Sequence, residues 1–286
     1  MDDGERLGVL VTPARGPARG RLVLLHGLGG SADSGYMLRT LALAWSRGYE
    51  VARVQFRGAE RGITVRPSFH NAGRSDDLAA VLDRLEWSEG ARNTPLAAVG
   101  FSLGGAVLLK YLGDAGGGAR LAAAAAVSAP LDLAACLAAL EEPRNRLYHR
   151  YYVRRLRRQA RVTLRLHPGA WPPLDATMNA VRRIDTRYVA PDAGYASAED
   201  YYRGASSLPL LGDIAVPTLL LSSRDDPFIP VSMYESLPKN GAPIEKLLTG
   251  RGGHVGYIAR GGRGVPRFWA AQTILDWLEK APGSSP

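Results

Sequence analysis

The chain of 286 residues holds a single cysteine, Cys136, so a disulfide framework is excluded. That cysteine has no Cys or His neighbour at ligand spacing, which removes a zinc signature as well. The N-terminus, MDDGERLGVL, lacks a basic stretch followed by an apolar core, and no secretory signal is read there. No run is long and apolar enough to span a bilayer: the longest, LAAAAAVSAPLDLAACLAAL at 121–140, is split by Pro130 and Asp132 and is mostly alanine. These absences point to a cytoplasmic protein that depends on its core. With 46% hydrophobic and 22% charged residues, one large globular domain is expected over 1–286.

Acidic residues are missing from one segment. Between 144 and 165, RNRLYHRYYVRRLRRQARVTLR carries nine arginines and no Asp or Glu, while the whole chain has a net charge of +9, so the remainder is near neutral. Tyr148, Tyr152, Leu156 and Ala160 recur every fourth position there, which predicts an amphipathic helix with one apolar stripe and a wide arginine face. A solvated helix packed on the domain accounts for this. A second reading is attraction of anionic substrates or lipid headgroups, that is, peripheral membrane contact. No nucleic-acid partner is expected, because no platform of interleaved aromatics accompanies the charge.

What is present is an alternation of strand-length apolar runs with helix-length periodic segments, the pattern of βα units around a mostly parallel sheet. The runs lie at 21–27, 50–58, 95–102, 121–130, 217–223 and 244–250. Helices are expected near 36–47, 76–88, 103–113, 230–236 and 266–280. The rhythm breaks at 131–207, read as an insertion over the end of the sheet, with the core at 1–130 and 208–286.

In LAAVGFSLGGAVLLKYL, at 96–112, Ser102 stands between glycines where an apolar run meets a helical one. A G-x-S-x-G pentapeptide alone is weak. Strand, sharp turn and helix together are the context of a nucleophile elbow, in which Gly100 and Gly104 leave room for a strained serine.

An activated serine needs a base and an acid to orient it. Of five histidines, His254 sits in a glycine-rich loop, GRGGHVGY, just past a late strand, and is the candidate base. His26 follows the first strong strand among structural neighbours. His70, His149 and His167 have no strand end or glycine turn to place them. For the acid, LLLSSRDDPFIP supplies two adjacent carboxylates as a strand ends. Asp226 is preferred over Asp225, since consecutive side chains point opposite ways and the turn begins at Asp226. Oxyanion donors are expected from the backbone N–H of Leu103, the residue after the serine, and of Leu28 in HGLGG. Arg57 is read as a structural tie at a strand end in preference to a holder of an anionic substrate group, and Asp76 and Asp77 as a cap and a first-turn charge.

The segments HGLGGS, FRG, FHNAGRSDDL, GFSLGG, VSAPLDL, YYR, DDPFIP and GGHVGY, spread over roughly residues 20–280, resemble the YheT-like, or EMB8-type, esterases of the α/β-hydrolase superfamily. The chain departs from that pattern at Ala106, where SLGGN is usual, and at Gln55, where His or Asn often precedes FRG. The resemblance implies an α/β-hydrolase fold with a mostly parallel sheet flanked by helices and a helical cap at 131–207. It assigns Ser102, Asp226 and His254 as nucleophile, acid and base. It implies two-step acyl transfer to water on a small-molecule or lipid ester, with no metal or organic cofactor. A thioesterase or lipid acyl hydrolase with a lipid-facing cap is an alternative, and a catalytically silent binding protein on this scaffold is a second.

Overall fold

The computed structural model describes residues 4–59, 65–237, 241–260 and 266–282. Among these, seven strands form one sheet in the order β1-β3-β2-β4-β5-β6-β7. They are β1 (Gly8–Thr12), β2 (Gly20–Leu25), β3 (Tyr49–Gln55), β4 (Leu96–Phe101), β5 (Ala123–Val127), β6 (Thr218–Ser223) and β7 (Ile244–Thr249). Only β1 is antiparallel to its neighbour; every other pairing is parallel. From β2 to β6 nearly every residue is buried. Parallel strands covered on both faces lose the polar alternation of a half-exposed sheet, which is why they read as continuous apolar runs. β1 was not expected: it is a half-exposed edge strand with no such run.

Helices α1 (Gly35–Ser46), α2 (Ser75–Arg84) and α3 (Leu103–Ala115) connect the first strands. α2 stops short of the expected residue 88. Leu85 turns to an extended conformation, Trp87 is buried, and the N–H of Ser88 donates to the Glu50 carboxylate at 3.0 Å, a pairing a continued helix would forbid. Between β5 and β6 the described chain is helical: α4 (Leu133–Glu141), α5 (Arg146–Leu166), α6 (Val181–Ile184) running through a π-helical turn at Asp185–Val189 into α7 (Ala190–Asp192), and α8 (Ala198–Ala205). After β6 come α9 (Ser232–Glu235), the short hairpin β8 (Ile258–Arg260) and β9 (Pro266–Phe268), and α10 (Trp269–Leu278). The expected last helix begins three residues late because Pro266–Phe268 pairs with Ile258–Arg260.

The sheet divides the apolar core in two. On one face, Met37 and Ala44 of α1 and Ile274, Leu275 and Leu278 of α10 pack on Leu22, Leu24, Val51 and Val99. On the other, α2 and α3 pack on Val23, Leu25, Ala98 and Leu220, and this core runs on without a break into α4, α5 and α8. The helical segment is therefore seated on the sheet's C-terminal end through the same apolar mass, where open α/β sheets place their ligands.

α5 carries the arginine run, and most of the expected stripe faces the core. Leu156 and Ala160 are buried and Tyr152 packs against the core, joined by Val153, Gln159 and Thr163, whereas Tyr148 is 48% exposed. Arg155 and Arg157 turn inward and are tied to carbonyls rather than solvated: Arg155 Nε donates to Gly29 at 2.9 Å, and Arg157 to Asp175 and Met178 at 2.8 and 2.9 Å. No helix among the described residues is long and apolar enough to cross a membrane.

Candidate active site

Ser102 lies between β4 and α3 with φ 51° and ψ −121°, one of three described non-glycine residues in the left-handed region. The strain is held from three sides. Its N–H donates to the Val127 carbonyl at 2.8 Å; a Cβ at Gly104 would come 2.5 Å from the Leu25 carbonyl oxygen, and one at Gly100 would strike the Gly104 carbonyl. Glycine on both sides of the elbow is thus a packing requirement.

His254 follows β7 on a loop and points back at the elbow, its Nε2 2.8 Å from Ser102 Oγ. Its Nδ1 is 2.8 Å from Asp226 Oδ2. The Asp226 side chain is fully buried, and its other oxygen accepts the N–H groups of Phe228 and Ile229 at 3.2 and 3.1 Å. Asp225 faces elsewhere and accepts the N–H groups of Gly252 and Gly253, both at 2.8 Å. One carboxylate therefore meets the imidazole, and its neighbour fastens the loop that carries it. Tyr257 closes that loop: its N–H donates to the Gly252 carbonyl at 3.0 Å and its hydroxyl lies 3.0 Å from Ser128 Oγ at the end of β5.

Leu103 is the first residue of α3, where an N–H has no intrahelical acceptor. In the HGLGG loop, Gly27 N–H donates to Tyr36 Oη at 2.9 Å and Gly30 N–H to the Gly27 carbonyl at 3.0 Å. Among the described residues the N–H groups of Leu28 and Leu103 have no protein acceptor. His26 braces this loop from below. Its Nδ1 donates to the Gly27 carbonyl at 2.9 Å and its Nε2 accepts from Phe56 N–H at 3.4 Å, a pattern that requires the neutral ring. Burial pushes its pKa down to about 4, in keeping with that tautomer. Gln55, at one of the two departures, accepts the Ala32 N–H at 2.9 Å and so secures the far end of the loop.

Two spaces meet at Ser102. One, a cavity of about 100 Å³, is lined by Leu133, Leu137, Leu140, Leu156, Val181 and Ile229 among others. The other, an opening of about 370 Å³, is bordered by Tyr36, Tyr148, Tyr151, Arg155 and His254. Cys136 borders the first, where burial pushes its thiol well above the ordinary value and keeps it protonated.

Three features lay outside the sequence reading. His70, taken as unplaced, borders the first cavity beside Ser102. Arg155, one arginine among nine, links α5 to Gly29 in the HGLGG loop. Asp76 and Asp77 both lie in the first turn of α2, but α2 begins at Ser75 after Arg74, so neither is the cap, and Asp77 is buried in a two-point ion pair with Arg57, whose Nε reaches Asp77 Oδ2 at 2.8 Å. The guanidinium and carboxylate fit each other as a fork, and the pair fastens the end of β3 to α2.

Comparison with known proteins is consistent with this arrangement. A family model described as the alpha/beta hydrolase fold matches residues 20–260. YheT of Escherichia coli K12, a protein assigned as an esterase, is 38% identical over 93% of this chain and 78% of its own length. Human phospholipase ABHD3 is 31% identical over 84% of this chain, which spans 59% of the phospholipase. Among solved structures, an esterase from Exiguobacterium antarcticum superposes with a TM-score of 0.59 at 16% identity, covering 96% of each chain, a likeness of fold alone. By its family match, and by its identity to YheT over most of both chains, this chain belongs to the α/β-hydrolase family, on its YheT-like branch.

Proposed function

We propose that the chain is a serine hydrolase of carboxylic esters, a reading carried above all by the unbroken hydrogen-bonded line Ser102–His254–Asp226, with 2.8 Å at each step. Ser102 Oγ attacks the ester carbonyl while His254 Nε2 takes its proton. The Asp226 carboxylate holds the imidazole through Nδ1–H and steadies the cation that forms. The carbonyl oxygen gains negative charge between the N–H groups of Leu28 and Leu103. Collapse of this intermediate breaks the bond to the alcohol oxygen, which leaves with the proton from His254. Water then attacks the acyl-enzyme, giving its proton to His254, and the acid departs as Ser102 is restored. The apolar cavity receives the acyl chain and the larger opening the alcohol. Residues 131–207 serve as a cap over both, with Arg155 fastening the cap to the loop of the oxyanion donors.

The names of the relatives include both esterase and phospholipase, and the exposed side of α5 favours a lipid version of the same chemistry. Arg146, Arg150, Arg154, Arg161 and Arg165 alternate there with exposed Leu147, Tyr151, Val162 and Leu166, and Tyr151 borders the larger opening. A helix face of cations and apolar tips suits an anionic bilayer surface. Hydrolysis of p-nitrophenyl esters from acetate to palmitate at pH 8, without and with phosphatidylglycerol vesicles, tests both readings. Measurable turnover is expected, with the rate on the longest chains raised several-fold by the vesicles and the gain abolished in 0.5 M salt. Turnover indifferent to vesicles removes the lipid version, and inertness toward every ester leaves the binding-protein alternative.

A further inference from the structure

The cavity on the acyl side of Ser102 is walled by leucine, valine and isoleucine, yet it also receives His70, Asp185 and Tyr202. His70 is 3% exposed, and among the described residues neither ring nitrogen has a hydrogen-bond partner. Its orientation comes from packing: the ring stacks on Phe56 at 4.5 Å between centroids and meets His26 edge-on at 5.2 Å. A buried imidazole with both nitrogens unpaired costs free energy that a phenylalanine of similar shape would not. Asp185 opens the π-helical turn between α6 and α7, a conformation that recurs at functional sites. Tyr202 donates to Asp185 Oδ2 at 2.8 Å. Burial pushes the Asp185 carboxyl up to about 7, so near neutral pH much of it holds a proton that can itself be donated.

We propose that His70, with Asp185, forms a hydrogen-bonding subsite in the acyl cavity that selects esters whose acyl chain carries a hydroxyl group. The neutral imidazole has one donor and one acceptor nitrogen, and a hydroxyl, able to donate or accept, can pair with whichever of them it reaches. A plain hydrocarbon chain offers the imidazole no partner. The subsite therefore discriminates by the hydrogen bond that a hydroxylated chain gains in a buried pocket. This rests on the esterase reading above, with the acyl chain in this cavity.

The test uses ethyl esters of unsubstituted acids of six to ten carbons and their 3-hydroxy and ω-hydroxy counterparts, with acid release titrated at pH 7. Lengthening the chain walks the ω-hydroxyl along the cavity. In the wild type, one hydroxylated position is expected to exceed the unsubstituted ester of equal length by about tenfold or more in kcat/KM. His70→Leu is expected to bring that ratio to about one, and His70→Asn, which keeps a donor and an acceptor, to restore part of it. Reading the ratio within each variant cancels any general loss of activity. Hydrolysis of unsubstituted esters with no hydroxylated position preferred, or a preference that survives His70→Leu, overturns the proposal and leaves the esterase standing. If no ester of either kind is cleaved and Ser102 also refuses a fluorophosphonate, both fall together.

Discussion

His254→Ala is expected to lower kcat for ester hydrolysis by about 10⁵- to 10⁶-fold, with KM little changed, because in the proposed mechanism the imidazole acts on the proton of Ser102 in the transition state and not on substrate binding. Asp226→Asn is expected to cost about 10⁴-fold, since an amide both loses the charge that steadies the imidazolium and favours the wrong tautomer. Asp225→Asn should cost only about tenfold. Its carboxylate takes the Gly252 and Gly253 N–H groups at 2.8 Å, so the change loosens the His254 loop without touching the ring. Steady-state kinetics on one short p-nitrophenyl ester rank the three. A larger loss at Asp225 than at Asp226 would reverse the assignment of the two carboxylates.

Stability should respond most to the pair that fastens β3 to α2. With side chains 5% and 1% exposed, Arg57 and Asp77 meet away from water, and Asp77→Ala takes the two-point carboxylate from a buried guanidinium. The expected loss is about 3 kcal/mol, the lower end of the range for breaking a buried pair. Replacing both, Arg57→Met with Asp77→Leu, should recover much of it, since two apolar side chains of similar volume remove both buried charges together. Urea midpoints at pH 7 for wild type, single and double variants measure this. A single variant within 1 kcal/mol of wild type would show that the pair does not carry that weight.

The central strands and the elbow were readable from the sequence because their determinants are local. A strand buried on both faces must be apolar throughout, as β4 and β6 are, and a strained serine must have glycine beside it, as Gly100 and Gly104 are. That only one of Asp225 and Asp226 can face His254 follows from alternation along an extended chain, and the preference for Asp226, which lies 2.8 Å from the ring, from the turn that begins there. What depended on distant residues was not readable. β1 gains its place only by pairing with β3, and α2 ends early because Glu50, on another strand, takes the Ser88 N–H. Asp77 looked like a helix-start charge, since nothing near it announces that Arg57 will lie against it. His70 is the sharpest case: its sequence neighbours give it no position, and the cavity it borders is assembled largely from α4, α5 and the turn at Asp185. Arg155 was hidden differently, by eight other arginines of the same segment, and only the direction in which α5 turns separates it from them.

The nucleophile is the claim on which the rest depends. Incubation of the protein with a fluorophosphonate, followed by intact mass and peptide mapping, tests it most directly. One adduct per chain on the peptide containing Ser102, formed by the wild type and absent from Ser102→Ala, is the predicted result. An unlabelled wild-type protein, or a label that persists in Ser102→Ala, would contradict it.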